Sequence, residues 1–167
     1  MDGLSVAYIL RDGLALSSGL LVLIAGALYF NPRIMLRSYP QAVQAQLPPL
    51  TAAEKRQQMI LALLVWGFAL LWLLFSNIQL AARSDQVTVL TYFLHTYLVF
   101  AVFNLVDLLV IDYLLLLVIR PAFLFIPGTA ALSQAHGFGF HFKGFLKGLA
   151  FGGVLGAAVA LLAALIL

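Results

Sequence analysis

Val87–Ile119 reads VTVLTYFLHTYLVFAVFNLVDLLVIDYLLLLVI, an apolar run interrupted by two carboxylates, Asp107 and Asp112. A spanning helix needs about 20 predominantly apolar residues, so this stretch is long enough to cross a bilayer and puts both aspartates in or near hydrocarbon. An ionised group there costs about 2.5–3.5 kcal/mol on the lowest scale, which makes each aspartate a functional-site hypothesis by default. As one α-helix the run would extend about 50 Å at 1.5 Å per residue, against a hydrocarbon core of about 30 Å. The sequence therefore predicts a tilted helix, or one whose Val87–Thr96 part lies in the interface.

Three further stretches resemble spans. Leu14–Phe30 is uncharged and stops at Asn31-Pro32, a normal helix end. Met59–Ala82 carries only Ser76, Asn77 and Gln79 as polar residues, and Gly148–Leu167 carries none. The chain is 64% hydrophobic and 9% charged, where a soluble domain carries about 25% charge. The expected fold is an all-α integral membrane bundle of four helices forming a single domain, with spans near 14–30, 59–82, 97–119 and 148–167. Ala25-Gly26-Ala27 has the look of a signal-peptide cleavage site, but Asp2 and Asp12 stand before it against a single Arg11. A signal peptide has a positive start, so the first run is read as a retained helix.

The basic residues set an orientation. Arg33, Arg37, Lys55 and Arg56 lie in the connection 31–58, and Arg120, Lys143 and Lys147 in 120–147. Only Arg11 and Arg83 fall on the other side, a split of seven to two. The positive-inside rule puts both long connections in the cytoplasm and both termini outside. Before the second span, Thr51-Ala52-Ala53-Glu54 matches a capping box behind Pro48-Pro49.

On an α-helical wheel centred on Asn104, Tyr97 falls within about 20°, Asp107 about 60° to one side and Asp112 about 80° to the other. The aspartates are then about 140° apart and about 7.5 Å along the axis, too far for a tight carboxylate pair. Taking Arg120 as the cytoplasmic edge, Asp112 lies about 12 Å inside and Asp107 about 20 Å, near mid-membrane. None of the predicted spans contains Lys or Arg. The carboxyls are therefore protonated, face water or a cation, or meet a cation from another chain. The plain alternative is a protonated Asp hydrogen-bonded to a backbone carbonyl or to Asn77 or Gln79. Such bonds average about 0.6 kcal/mol, a small return for an aspartate. Asn104, Tyr97, Asp107 and Asp112 form the candidate ion or proton site.

In the last span Gly148, Gly152, Gly156, Ala160 and Ala164 recur every fourth residue, with Gly153 and Ala157 beside them. Small-xxx-small stripes let helices approach closely. The stripe is structural, and serves either packing within the chain or homodimerisation.

His136–Phe145, HGFGFHFKGF, alternates aromatic rings with glycines, His141 and Lys143. Aromatic rings favour the headgroup zone, and cations there attract anionic lipid. Arg120–Lys147 is thus expected to lie as an interfacial segment on the cytoplasmic leaflet. A sharper alternative is a lipid-headgroup or phosphate pocket built from Arg120, His136, His141, Lys143, Arg33 and Arg37. His95 lies far from the other two histidines, opposite Asn104 on the wheel, so no bis-histidine haem pair forms within one chain. The zinc spacing HExxH is missing and there is no cysteine, so no metal site or cofactor is expected. No phosphate-binding or nucleophile-elbow motif occurs, and no spacing argues for a serine nucleophile beside a histidine. The scattered charge gives no sign of nucleic-acid binding.

The pieces NPRIMLRSYP (31–40), PPLTAAEKR (48–56), NLVDLLVIDY (104–113), RPAFLFIPGT (120–129) and GFHFKGFLKG (139–148) resemble a group of small bacterial four-helix membrane proteins. The resemblance implies the same architecture in a bacterial cytoplasmic membrane and implies no activity. Three functions fit the residues. The first is movement of a proton, cation or small solute through Asp107 and Asp112. The second is a non-catalytic subunit of a membrane complex, and the third is lipid-headgroup binding or modification at the hairpin. The expected partners are the bilayer, its anionic headgroups, and further copies of this chain or another subunit.

Overall fold

Helix signals lie at the ends of each apolar stretch, and in a computed structural model the chain folds accordingly. The structure describes residues 4–84, 86–129 and 137–167. Helix α1 spans Val6–Phe30 and stops at Asn31, whose side chain accepts from Arg33 N as a short 3₁₀ turn, Pro32–Ser38, begins. A six-residue helix α2, Gln41–Gln46, follows. Helix α3, Ala52–Ala81, starts at the capping box, with Thr51 Oγ1 accepting from Glu54 N and Glu54 Oε2 accepting from Thr51 N. Helix α4, Val89–Val106, is capped by Thr88. It continues without a break into a π-helix, Asp107–Ile119, which ends at Arg120 in the left-handed region with φ 54°. Helix α5 spans Phe138–Ile166.

Two boundaries differ from the sequence expectation. Helix α1 begins at Val6 rather than near Leu14, which draws Arg11 and Asp12 into the helix. The stretch from Phe138 to Lys147 does not form a separate interfacial segment, because it is the first part of α5 and runs straight into the last span. Its glycines gave a loop-like appearance, but Gly139 and Gly144 meet no neighbour within 4 Å and are simply tolerated in an exposed helix face. His136 lies outside the described residues.

Among the described residues, four helices are long and apolar enough to cross a membrane: Val6–Phe30, Ala52–Ala81, Val89–Ile119 and Phe138–Ile166. They pack with alternating direction, α4 touching α1, α3 and α5. The start of α1, the end of α3, the start of α4 and the end of α5 share one end, here the terminal end. The 31–51 connection and residues 120–129 lie at the other, the hairpin end. Between them Leu16, Leu20, Leu73, Val99, Phe100 and Val159 form a buried layer. Lipid tails are as apolar as leucine, so close fit rather than water exclusion has to hold such helices together. The fit is close: a β-carbon on Gly13 would overlap Val102, and one on Gly19 would overlap Phe68.

The glycine stripe of α5 faces α4. A β-carbon at Gly148 would overlap the Asn104 side chain, and one at Gly152 would overlap Phe100. Farther along the stripe turns away, because four residues advance about 40° beyond a full turn of 3.6. Ala164 is therefore exposed, and Ala163 takes its place beside Ala160, packing with Leu80 and Tyr92. Gly153 meets nothing within 4 Å and Ala157 is exposed.

Candidate functional site

The π-helix decides how the two aspartates stand. Its i→i+5 bonding stacks residues five apart, where an α-helix would splay them. The last such bond, Arg120 N to Leu115 O, is 2.8 Å. Asp107 and Asp112 are five apart, so they share a face instead of diverging by the wheel's 140°. The wider winding also advances less per residue, which relieves the excess length of the third span. The π-helix is rare, and its usual form, a single-turn bulge inside an α-helix, is frequent at functional sites.

Both aspartates open into one cavity of about 470 Å³ at the hairpin end. Its walls are largely apolar, with Ile24 and Leu28 from α1, Ile111 and Leu116 from the π-helix, and Leu124 and Phe125 from the turn that follows. Tyr39, His141, Lys143 and Lys147 add polar atoms. Pockets of this size and make-up suit a small organic molecule.

The two carboxylates differ in their partners. Asp112 Oδ1 lies 2.8 Å from His141 Nδ1. Asp107 makes no hydrogen bond or ion pair with any described residue. A narrow void of about 10 Å³ behind it is bordered by Ser17 and Phe103. On the far rim Tyr39 Oη donates to Leu124 O at 2.6 Å. Burial pushes that hydroxyl up to about 12, so it stays a donor at any ordinary pH.

The other residues read from the sequence stand elsewhere. Asn104 Nδ2 donates to Phe145 O at 2.8 Å, tying α4 to α5. Tyr97 stacks on Phe93 and faces Gly156. Neither lines the cavity. Of the described members of the proposed headgroup set, His141 and Lys143 share a pocket. Arg33 is held by Glu54 at 2.6 Å and donates to Pro48 O. Arg120 Nε closes its own helix end on Leu117 O, and Arg37 is exposed at the 3₁₀ turn.

A second polar cluster, at the terminal end, was missed. Asp12 is 1% exposed, as are Ser76 and His95. Ser76 Oγ donates to Asp12 Oδ2 at 2.6 Å and lies 2.7 Å from His95 Nε2. Arg11 Nε donates to Asp12 Oδ1 at 2.7 Å, and Gln79 Oε1 accepts from both Arg11 and Arg83. Asn77 Nδ2 donates to Thr96 Oγ1 beside them. The signal was present in the sequence: Arg11-Asp12 on α1 and Ser76, Asn77 and Gln79 on α3 interrupt otherwise apolar helices. Ser76 and His95 have the separation of a nucleophile and its base. Two features argue against hydrolysis. The carboxylate holds the serine rather than the histidine, and neither cavity described above reaches Oγ.

No protein-family model matches this chain, and no curated protein or solved structure is significantly similar to it.

Proposed function

We propose that this chain is an integral membrane protein that moves a small solute with an apolar body and a cationic end, exchanging it for a proton at Asp107. The observation that carries this is the shared opening of Asp107 and Asp112 into one largely apolar cavity, with Asp107 making no hydrogen bond or ion pair among the described residues. A carboxyl in that setting is stable as the neutral acid or beside a cation, and unstable as a bare anion. A ligand that brings a positive charge therefore releases the proton, and its departure restores it. The apolar walls favour an organic cation over a hydrated metal ion, since they offer few oxygens to replace a hydration shell. On the positive-inside orientation the cavity opens toward the cytoplasm.

The accessory-subunit reading takes the glycine stripe and the aspartates as docking features; Gly148 and Gly152 are covered by α4, which removes part of that surface.

Flux in proteoliposomes tests the proposal. An imposed pH gradient should drive uptake of an organic cation such as tetraphenylphosphonium, with sodium and potassium much slower. Asp107→Asn should abolish uptake while the protein remains folded, and Asp112→Asn should reduce it. Equal flux in wild type, Asp107→Asn and empty vesicles would sink the proposal.

A further inference from the structure

The cluster at the terminal end is built around a serine that can donate only once. Ser76 Oγ carries one hydrogen and sits between Asp12 Oδ2 and His95 Nε2. While it donates to the carboxylate, Nε2 must carry a hydrogen and donate to Oγ. Nδ1 is then the ring's open lone pair. That atom is buried and has no hydrogen-bond partner among the described residues. Leaving such an atom unmatched costs about 1–3 kcal/mol, a cost that packing alone does not explain.

Among the described residues, Asp12 Oδ2 on α1 lies 3.8 Å from His95 Nε2, and Arg11 on α1 and Arg83 beyond the end of α3 are the cations that act on the ring. Helix α5 packs Ala160 and Ala163 beside Tyr92 of α4 at this end.

We infer that Asp12, Ser76 and His95 form a proton-binding site, separate from the cavity, that takes up one proton at His95 Nδ1. The site can also pass that charge on without moving a heavy atom. The proton gained at Nδ1 makes an imidazolium; Nε2 then gives its hydrogen to Ser76 Oγ, and Oγ gives its own to Asp12 Oδ2. The ring ends neutral with hydrogen on Nδ1, and the carboxylate ends as the acid. One proton enters and one bond to hydrogen is added. The site stands without the cavity proposal. If both hold, the chain has a titrating group at each end of its buried apolar layer.

Nitrogen-15 NMR of histidine-labelled full-length protein in lipid tests this, with the His95 signals assigned by their loss in His95→Gln. In wild type, Nδ1 should change from bare to protonated on acidification between about pH 9 and pH 4. Asp12→Asn, lacking the anion, should leave Nδ1 bare over the same range, whereas Asp107→Asn should titrate as wild type does. A wild-type Nδ1 that keeps one state throughout overturns the inference, and so does an Asp12→Asn titration identical to wild type. If Asp12→Asn does not fold, the wild-type titration alone decides. The outcome is independent of solute flux, so failure of the cavity proposal leaves it readable.

Discussion

Asp12 and Asp107 are both carboxylates inside helices apolar enough to span a membrane, yet the molecule treats them in opposite ways. Asp12 sits where α1, α3 and α4 close tightly, and Arg11 and Ser76 occupy both of its oxygens. Asp107 sits where the π winding faces a cavity, with no hydrogen bond or ion pair to any described residue. The cost of burying charge is met by built-in partners at the terminal end. At the hairpin end it is left to a proton or a ligand. Asp12, with both oxygens matched, is held as an anion by the fold, and Asp107, unmatched beside a cavity, is left open to a ligand.

The largest expected effect tests that contrast directly. Asp12→Ala removes the anion and leaves buried Ser76 and His95 without it, while half-exposed Arg11 keeps Gln79 and water, so unfolding in detergent should show a loss of about 2–3 kcal/mol. Asp107→Asn should change stability by less than about 1 kcal/mol, or raise it, because a neutral amide replaces an unmatched acid. Equal losses in the two variants would break the comparison.

The next effect concerns the seam that holds the open region in place. Asn104 bonds Phe145 O beside Gly148, at the point where α4 passes into the π-helix. Gly148→Val should force Asn104 aside and cost about 1–3 kcal/mol through overpacking. Gly153→Val, placed where nothing lies within 4 Å, should instead raise stability by about a few tenths of a kcal/mol, through helix propensity. The same unfolding assay separates them.

Much of this was legible from composition and end signals. Apolar length announced four helices, and the Thr51–Glu54 box announced where α3 starts. The glycine stripe announced close packing at Gly148 and Gly152, although a strict four-residue period could not follow a 3.6-residue helix as far as Ala164. Asp107 and Asp112 stood out by charge alone. Their common face did not, because the wheel assumes α winding and Leu-Leu-Val-Ile between them carries no mark of a π-helix. Asp12 was hidden by its neighbours: beside Arg11 and near the N-terminus it looked like a flank. The start of α1 at Val6 makes it a buried group instead. Its contacts with Ser76 and His95 join residues 64 and 83 positions away, which no local pattern records.

The smallest effect lies at the rim of the cavity. The Tyr39 hydroxyl joins the 31–51 connection to Leu124 O, and thus ties together two of the segments that enclose the open region. Tyr39→Phe removes one hydrogen bond and should cost about 1 kcal/mol at neutral pH. The pH dependence identifies the cause. Burial raises this hydroxyl from 10.0 to about 12 in the folded chain, so the folded state holds its proton more tightly than the unfolded state does. Wild type should therefore keep its full advantage over Tyr39→Phe below about pH 10 and lose it as the pH rises toward 12. Taking the difference between the two proteins cancels the other tyrosines and the lysines that titrate in the same range. An advantage that stayed constant to pH 12 would mean the hydroxyl is solvated. The rim would then be held by the apolar contacts of Leu124 and Phe125 with Leu28, and the open region would be closed on that side by packing, as the terminal end is.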